Sequence, residues 1–193
     1  MDENMRKEIL RKITESITME VSMVEDMNTT MNWYPILPAK TAGFVLGINE
    51  DGVWVLESNS VLRIINTQKK FWITVALLEQ PADEVREELE KQLSFLNFDG
   101  VNIDLDSFFP FLEIARAGLQ FESDYWATLA FSWYDEFPFE KKISLIDTLT
   151  SIKNAKWASQ KLRHRAMREL KALEREENQW KTREAEQHHA KAK

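Results

Sequence analysis

Three amphipathic helical patterns follow one another between residues 123 and 173, with very little sequence between them to form loops. This stretch constrains the fold most, because its apolar residues recur at the 3.6-residue period of an α-helix. The first stripe consists of Trp126, Leu129, Ala130, Trp133 and Phe137. The second consists of Leu145, Ile146, Leu149 and Ile152, and the third of Ala158, Leu162, Ala166, Leu170 and Leu173. The spacing predicts three helices that pack against one another.

Helical patterns also occur in the first half of the chain. Apolar residues spaced four apart predict a helix from residue 3 to about 17, and the pattern can be extended to Met27. Pro81 is suited to a first helical position and precedes a stripe that begins at Val85. A further helix is predicted over 107–117, ended by Gly118. Short connections between these helices favour antiparallel packing of neighbours.

The stretch from residue 28 to residue 78 is ambiguous. Two prolines in the sequence NWYPILP exclude a continuous helix, so residues 28–40 are predicted to form an ordered aromatic loop. Asp51-Gly52 is typical of a hairpin turn, whereas the apolar spacing of 53–65 favours a helix. The sequence KKFWITVALLEQ fits a strand or a helix equally well.

Taken together, these patterns predict a mainly α protein. We expect an antiparallel helical bundle or a short HEAT-like stack, with room for a small β element within residues 42–78. The alternative is an α+β fold built on a β-α-β unit from Phe71 to Leu105. No Gly/Ser-rich linker divides the chain, so residues 1–173 are predicted to form a single helical domain. Residues 174–193 lose the apolar stripe and are predicted to form a charged helical tail that frays at its end.

The segment NAKWASQKLRHRAMRELKAL resembles a HEAT-type helical repeat. Arg163, Ala166 and Leu170 stand at the helical spacing at which such repeats place an arginine, an alanine and a leucine. The resemblance covers about twenty residues and implies a stack of antiparallel helix pairs. It also implies that the curved face of that stack binds another macromolecule.

Charge and composition narrow the function classes. Residues 1–152 carry 13 Lys+Arg against 26 Asp+Glu, whereas residues 153–193 carry 12 against 6, so an acidic body precedes a basic end. The absence of cysteine excludes disulfides, thiolate metal sites and cysteine nucleophiles. The acidic start and the lack of a long apolar run lead us to expect a cytoplasmic protein that neither is exported nor enters a membrane.

Six residues are predicted to contact a partner. Arg163, His164, Arg165 and Arg168 form a basic cluster on one predicted helix. Such a cluster can bind carboxylates or phosphates, although it can equally be a solvated helix face. Trp33 and Tyr34 are aromatic residues in a predicted loop, where they either close the end of the core or form an interaction surface.

The sequence FDGVNIDLD, residues 98–106, resembles the DGxDxDxE strand motif of chitinase-type glycosidases. Asp99, Gly100 and Asp104 match that motif, whereas Asn102 and Asp106 replace two of its acidic residues. The resemblance implies a hydrolase that uses Asp104 and Asp106 for chemistry or for metal binding. The structural interpretation is a turn at Asp99-Gly100, with the later aspartates capping the next helix.

No other enzyme signature occurs. The chain lacks dinucleotide-binding, Walker, zinc-protease and nucleophile-elbow motifs, so no cofactor and no enzymatic activity are expected. By elimination, the sequence favours a non-catalytic protein-binding module, such as an adaptor, a regulatory protein or an immunity-type inhibitor. The alternatives are a nucleic-acid-associated protein that binds through its basic C-terminal helix and, more remotely, the hydrolase.

Overall fold

The computed structural model describes residues 3–25, 27–39, 42–94 and 104–191, with side chains described for 7–25, 27–39, 42–94 and 104–178. Two compact units divide the chain, Met1–Ala117 and Gly118–Lys193. The helix that begins at Gln160 continues to Lys191. The boundary at residue 173 between a domain and its tail stays a prediction.

The first unit is built on a closed five-stranded β-barrel. Helix α1, Glu3–Ser16, precedes the strands. The strands are β1 (Glu20–Val24), β2 (Thr30–Ala39), β3 (Phe44–Asn49), β4 (Trp54–Ser58) and β5 (Val61–Ile64). Consecutive strands pair antiparallel, and β1 pairs with β5 in parallel to close the barrel.

The barrel contradicts the predicted mainly α fold and the HEAT-like stack. An α+β class fits instead, although its strands lie between residues 20 and 64 rather than in a unit that begins at Phe71. The helical stripes that suggested repeats occur together only in the second unit. HEAT repeats bury a continuous core of stacked helices, whereas a barrel of short paired strands forms the core of the first unit.

The predicted loop at 28–40 is wrong, because most of it is strand β2. Pro35 and Pro38 do exclude a helix, and β2 accommodates them with a change of register between Pro35 and Leu37. Proline lacks the N–H that a strand ladder needs and is tolerated at such irregular positions.

The predicted helix at 53–65 is also wrong, because these residues form the β4–β5 hairpin. Asn59 and Ser60 connect the strands and have φ values of 54° and 65°. Two consecutive residues with positive φ are typical of a type I′ hairpin turn. Two short strands joined by a two-residue turn place apolar residues at intervals that also fit a helix, which explains why the helical period was misleading.

Trp33 fills the interior of the barrel together with Val55 and Leu62. All three side chains are at most 1% exposed. On the opposite face of the sheet, Leu46 lies next to Leu37 and Leu56 in the register, and all three are 1–2% exposed. The middle strands are therefore buried on both faces.

The other described elements of the first unit are helices. A 3₁₀ helix, η1, spans Gln68–Glu79 and is followed by α2 (Ala82–Gln92), α3 (Leu105–Phe108) and α4 (Phe111–Gln120). Helix α2 packs against β2. The predicted helix after Pro81 is confirmed, whereas the helix predicted over 107–117 is divided into α3 and α4.

Residues 123–173 are helical in the second unit, although they form four helices where three are predicted. Its helices are α5 (Asp124–Asp135), α6 (Phe139–Ile143), α7 (Ile146–Asn154) and α8 (Gln160–Lys191). Helix α8 packs against α5, α6 and above all α7. Trp133, Leu149 and Ala166 are fully buried there, as their positions on the stripes predict.

Candidate functional site

The seam between β1 and β5 is the weakest part of the barrel wall. Only two register pairs, Met23 with Val61 and Val24 with Leu62, join these strands, whereas β4 and β5 share four. The strands are offset, so β1 begins before β5 and β5 continues after β1 has ended. A short main-chain edge is therefore left open at each end of the seam.

The open edges lie at Val21 and Ile64. The N–H of Ile65 donates to Trp54 O at 2.8 Å in β4, and N–H groups of successive strand residues point to opposite sides. Ile64 therefore directs its N–H and C=O away from β4. On that side, no described residue pairs with these two groups. The same alternation applies to β1. The N–H of Val24 donates to Thr29 O at 2.8 Å on the β2 side. Val21 lies three residues earlier, so its N–H and C=O point away from β2.

Exposed apolar side chains surround this seam. They are Met19, Val21, Met23, Met27 and Trp72, which we call the seam surface; each is 44–59% exposed. They make up five of the nine large apolar side chains that are exposed among the described residues. Val21 and Met23 share the outward face of β1, because strand residues two apart point the same way. This concentration contrasts with the covered outer face of β2, β3 and β4.

A groove of about 640 Å³, the seam groove, opens where β1 ends. Its apolar lining consists of Val24, Met27, Ile64, Trp72 and Ile73. The N–H of Glu25 donates to Leu62 O at 2.9 Å, just past the last register pair of β1 and β5. The groove therefore lies beside Ile64, beyond the point where β1 pairs with β5.

Three charged residues also line the seam groove. The Nε of Arg63 lies 2.8 Å from Oε1 of Glu25, so these two charges neutralise each other across the seam. Lys70 is exposed and forms no ion pair with any residue that the structure describes. Among the described residues of the lining, Lys70 is therefore the cation without an ion pair, and it lies beside an apolar surface.

Trp33 and Tyr34, which the sequence suggested as an interaction surface, lie in β2 rather than in a loop. Trp33 is 1% exposed and Tyr34 is 6% exposed. The indole Nε1 of Trp33 donates to Oγ of Ser22 at 3.0 Å, which holds the ring inside the barrel. Neither ring offers a surface to a partner in this conformation.

The basic cluster on α8 is only partly available. His164 and Arg168 are exposed and line a shallow groove of about 610 Å³ together with Lys161 and the half-buried Arg165. Arg163 instead donates from Nη1 to the carbonyl oxygens of Ala155 and Ala158, two residues that lie just before α8. The structure thus brings His164 and Arg168 to the surface and assigns Arg163 to the connection before α8.

Arg165 is held within the second unit. Its Nη2 donates to Oδ2 of Asp135 at 2.6 Å, and its guanidinium lies 4.7 Å from the centre of the Phe131 ring. Glu169 lies 3.8 Å from its Nε. These contacts fix the side chain and leave less of its charge for a partner.

Asp104 and Asp106 have structural partners. Oδ1 of Asp104 accepts the N–H of Asp106 at 3.1 Å, and Oδ2 accepts from Ser107 at 2.5 Å, which is a helix N-cap arrangement. Asp106 accepts from Nε of Arg86 at 3.1 Å. Residues 98–103 of the glycosidase-like motif lie outside the described residues.

Further sites are missing from the part of the chain that the structure describes. No group of three or more His, Cys, Asp and Glu residues there could hold a metal ion. None of the described helices combines the length and the apolar character needed to cross a bilayer.

Sequence reasoning missed the seam surface. A signal was present, because Met19, Val21 and Met23 alternate with Glu20 and Ser22 at the period of a strand. The alternation could have identified β1. It could not show that the apolar face would remain exposed, because that depends on which elements pack against it.

Comparisons with known proteins identify no relative. No protein-family model matches the chain, and neither a curated protein nor a solved structure is significantly similar to it.

Proposed function

We propose that this chain is a non-catalytic protein-binding module that contacts its partner through the seam surface. The observation that carries the proposal is the exposed apolar face of β1 beside two open main-chain edges. Proteins normally protect strand edges with charge, proline or a covering element, because unpaired edges invite other chains. Here Val21, Met23 and Trp72 lie exposed beside the edges, and the charged residues of the seam groove, Glu25, Arg63 and Lys70, leave this apolar surface uncovered.

The chemistry of the seam surface supports this proposal. Clusters of exposed apolar residues mark interaction sites more often than scattered ones do. Methionine is flexible and polarizable, and it adapts to the shape of a partner. Tryptophan is enriched among residues that dominate binding energy at interfaces. Met23, Met27 and Trp72 combine these properties within one part of the barrel.

Nucleic-acid binding through α8 has less support. Arg163 and Arg165 are engaged in contacts within the second unit, which leaves Lys161, His164 and Arg168 as the outward-facing groups. Binding to a phosphate backbone depends on several simultaneous cationic contacts.

Site-specific photo-cross-linking in the producing cells would test the proposal. A benzophenone amino acid would replace Met23 or Trp72, and as a control Glu90, which is exposed on α2. We expect the same protein to be cross-linked from Met23 and from Trp72 but not from Glu90. Introducing Val21→Glu should abolish the product from Met23, since it places a charge in the apolar face. Equal cross-linking from all three positions would contradict the proposal.

A further inference from the structure

We propose that the seam groove binds an extended peptide segment of the partner, which adds to β5 as a strand where β1 ends. The segment would carry apolar side chains and one carboxylate. This inference rests on the proposed function and specifies how the partner is recognised. Its basis is the main-chain edge at Ile64, the apolar walls around it and the unpaired charge of Lys70.

The main chain supplies the first element of recognition. The N–H and C=O of Ile64 point into the space beyond the end of β1, and the pairing of β5 with β1 stops at Leu62. An extended segment laid along this space can accept from the Ile64 N–H and donate to its carbonyl. Strand addition of this kind takes its affinity from main-chain hydrogen bonds and its specificity from pockets for alternate side chains.

The side chains around the edge supply the second element. Met27 lies on the hairpin side of the seam groove and Trp72 on the η1 side, and both are more than half exposed. Side chains of an extended segment point alternately to opposite sides. Apolar residues of the segment can therefore contact Ile64, Ile73 and the indole of Trp72, which line the groove.

Charge supplies the third element. Because Glu25 neutralises Arg63, Lys70 is left as the unbalanced charge among the lining residues that the structure describes. A carboxylate on the segment complements it, whereas a cationic side chain would be repelled. The acidic net charge of the whole chain affects the rate of encounter, but local groups determine the bound register.

The test uses the full chain and a phage library of random linear peptides of about 12 residues. Peptides would be selected on the wild-type protein, and their affinities would then be measured by calorimetry. We expect enriched peptides to alternate apolar residues around an Asp or Glu. Trp72→Ala should weaken them at least about tenfold. Lys70→Glu should select peptides with Lys or Arg at the position of the carboxylate.

N-methylation of the best peptide would test strand addition itself. Methylation removes one main-chain donor at a time, so the residue that bonds Ile64 should lose at least about tenfold in affinity while its two neighbours change little. If peptides depend on Trp72 but N-methylation of neighbouring residues has the same effect, strand addition would be overturned and the protein-binding function would stand. Selection of no peptide that depends on Trp72 would also overturn it. Failure of the cross-linking at Met23 and Trp72 would overturn the function separately.

Discussion

The ring of Trp33 lies directly against Gly47, on the neighbouring strand of the barrel. A Cβ atom at Gly47 would clash with the main-chain oxygen of Tyr34 and would also come within 2.6 Å of Cε3 and 2.8 Å of Cζ3 of the indole. Because Trp33 fills the barrel interior and cannot move aside, we expect Gly47→Ala to lower the free energy of unfolding by about 3 kcal/mol. Urea denaturation would measure this loss.

Gly43→Ala is the matched control for that substitution. Gly43 has a φ of 70°, and a Cβ atom added there would meet no atom of another described residue within 4 Å except its chain neighbours, so only backbone strain of about 1 kcal/mol is expected. Equal losses for the two variants would show that Trp33 and the main chain at Tyr34 do not pack tightly against Gly47.

Asn49 fixes the turn between β3 and β4. Its Oδ1 accepts the N–H groups of Asp51 and Val53 at 3.1 and 2.8 Å, and the residue is 5% exposed. Asn49→Ala leaves both donors without this acceptor and should cost about 1–3 kcal/mol. Asn49→Asp retains an acceptor and should cost less. Thermal unfolding of both variants would test this order, and the reverse order would exclude the hydrogen bonds as the main contribution.

Helices and strands were not equally predictable from this sequence. The stripes of α5, α7 and α8 are long enough for their period to be distinctive, and Asp51-Gly52 correctly marked the β3–β4 turn. The strands are only four to ten residues long. Since β3 is buried on both faces, it lacks the alternation that identifies a strand exposed on one side.

The seam could not be predicted for a different reason. Its open edges result from the offset between β1 and β5, which are separated by three other strands in the chain. No local pattern specifies how far such strands overlap. The basic cluster shows the same limit, because sequence spacing does not reveal that Asp135 lies beside Arg165.

Tyr134 should make the second unit sensitive to high pH. Its hydroxyl is buried and has no hydrogen-bond partner among the residues that the structure describes. Burial, followed by the charges of Glu169 and Asp135, raises the pKa of Tyr134 well above its ordinary value. The unfolded chain therefore loses this proton at lower pH than the folded chain does, and stability should fall as pH rises above about 10.

Tyr134→Phe removes both the titrating group and its unsatisfied hydroxyl. We expect its stability at neutral pH to match or exceed that of the wild type, with a shallower decline above pH about 10. Urea titrations at several alkaline pH values would test this. An unchanged decline in the variant would exclude Tyr134 as a source of the pH dependence.

The end of α8 should contribute little to stability. Leu162, Ala166 and Leu173 belong to the first half of α8, and each is at most 4% exposed. A chain that ends after Glu174 keeps all three residues and should retain its thermal midpoint to within a few degrees. A chain that ends before Ala155 loses α8 entirely and should be strongly destabilised. A large drop in the thermal midpoint of the chain that ends after Glu174 would show that residues beyond Glu174 pack against the rest of the protein.

Hydrogen exchange at two adjacent amides tests the open seam most directly. The N–H of Ile65 is bonded to Trp54 O, whereas that of Ile64 faces the seam groove without a partner among the described residues. We predict that NMR will show the Ile64 amide exchanging at least about 100-fold faster than that of Ile65, and becoming protected when a partner binds. Equal protection of the two amides in the free protein would mean that the barrel is sealed there and would contradict the account.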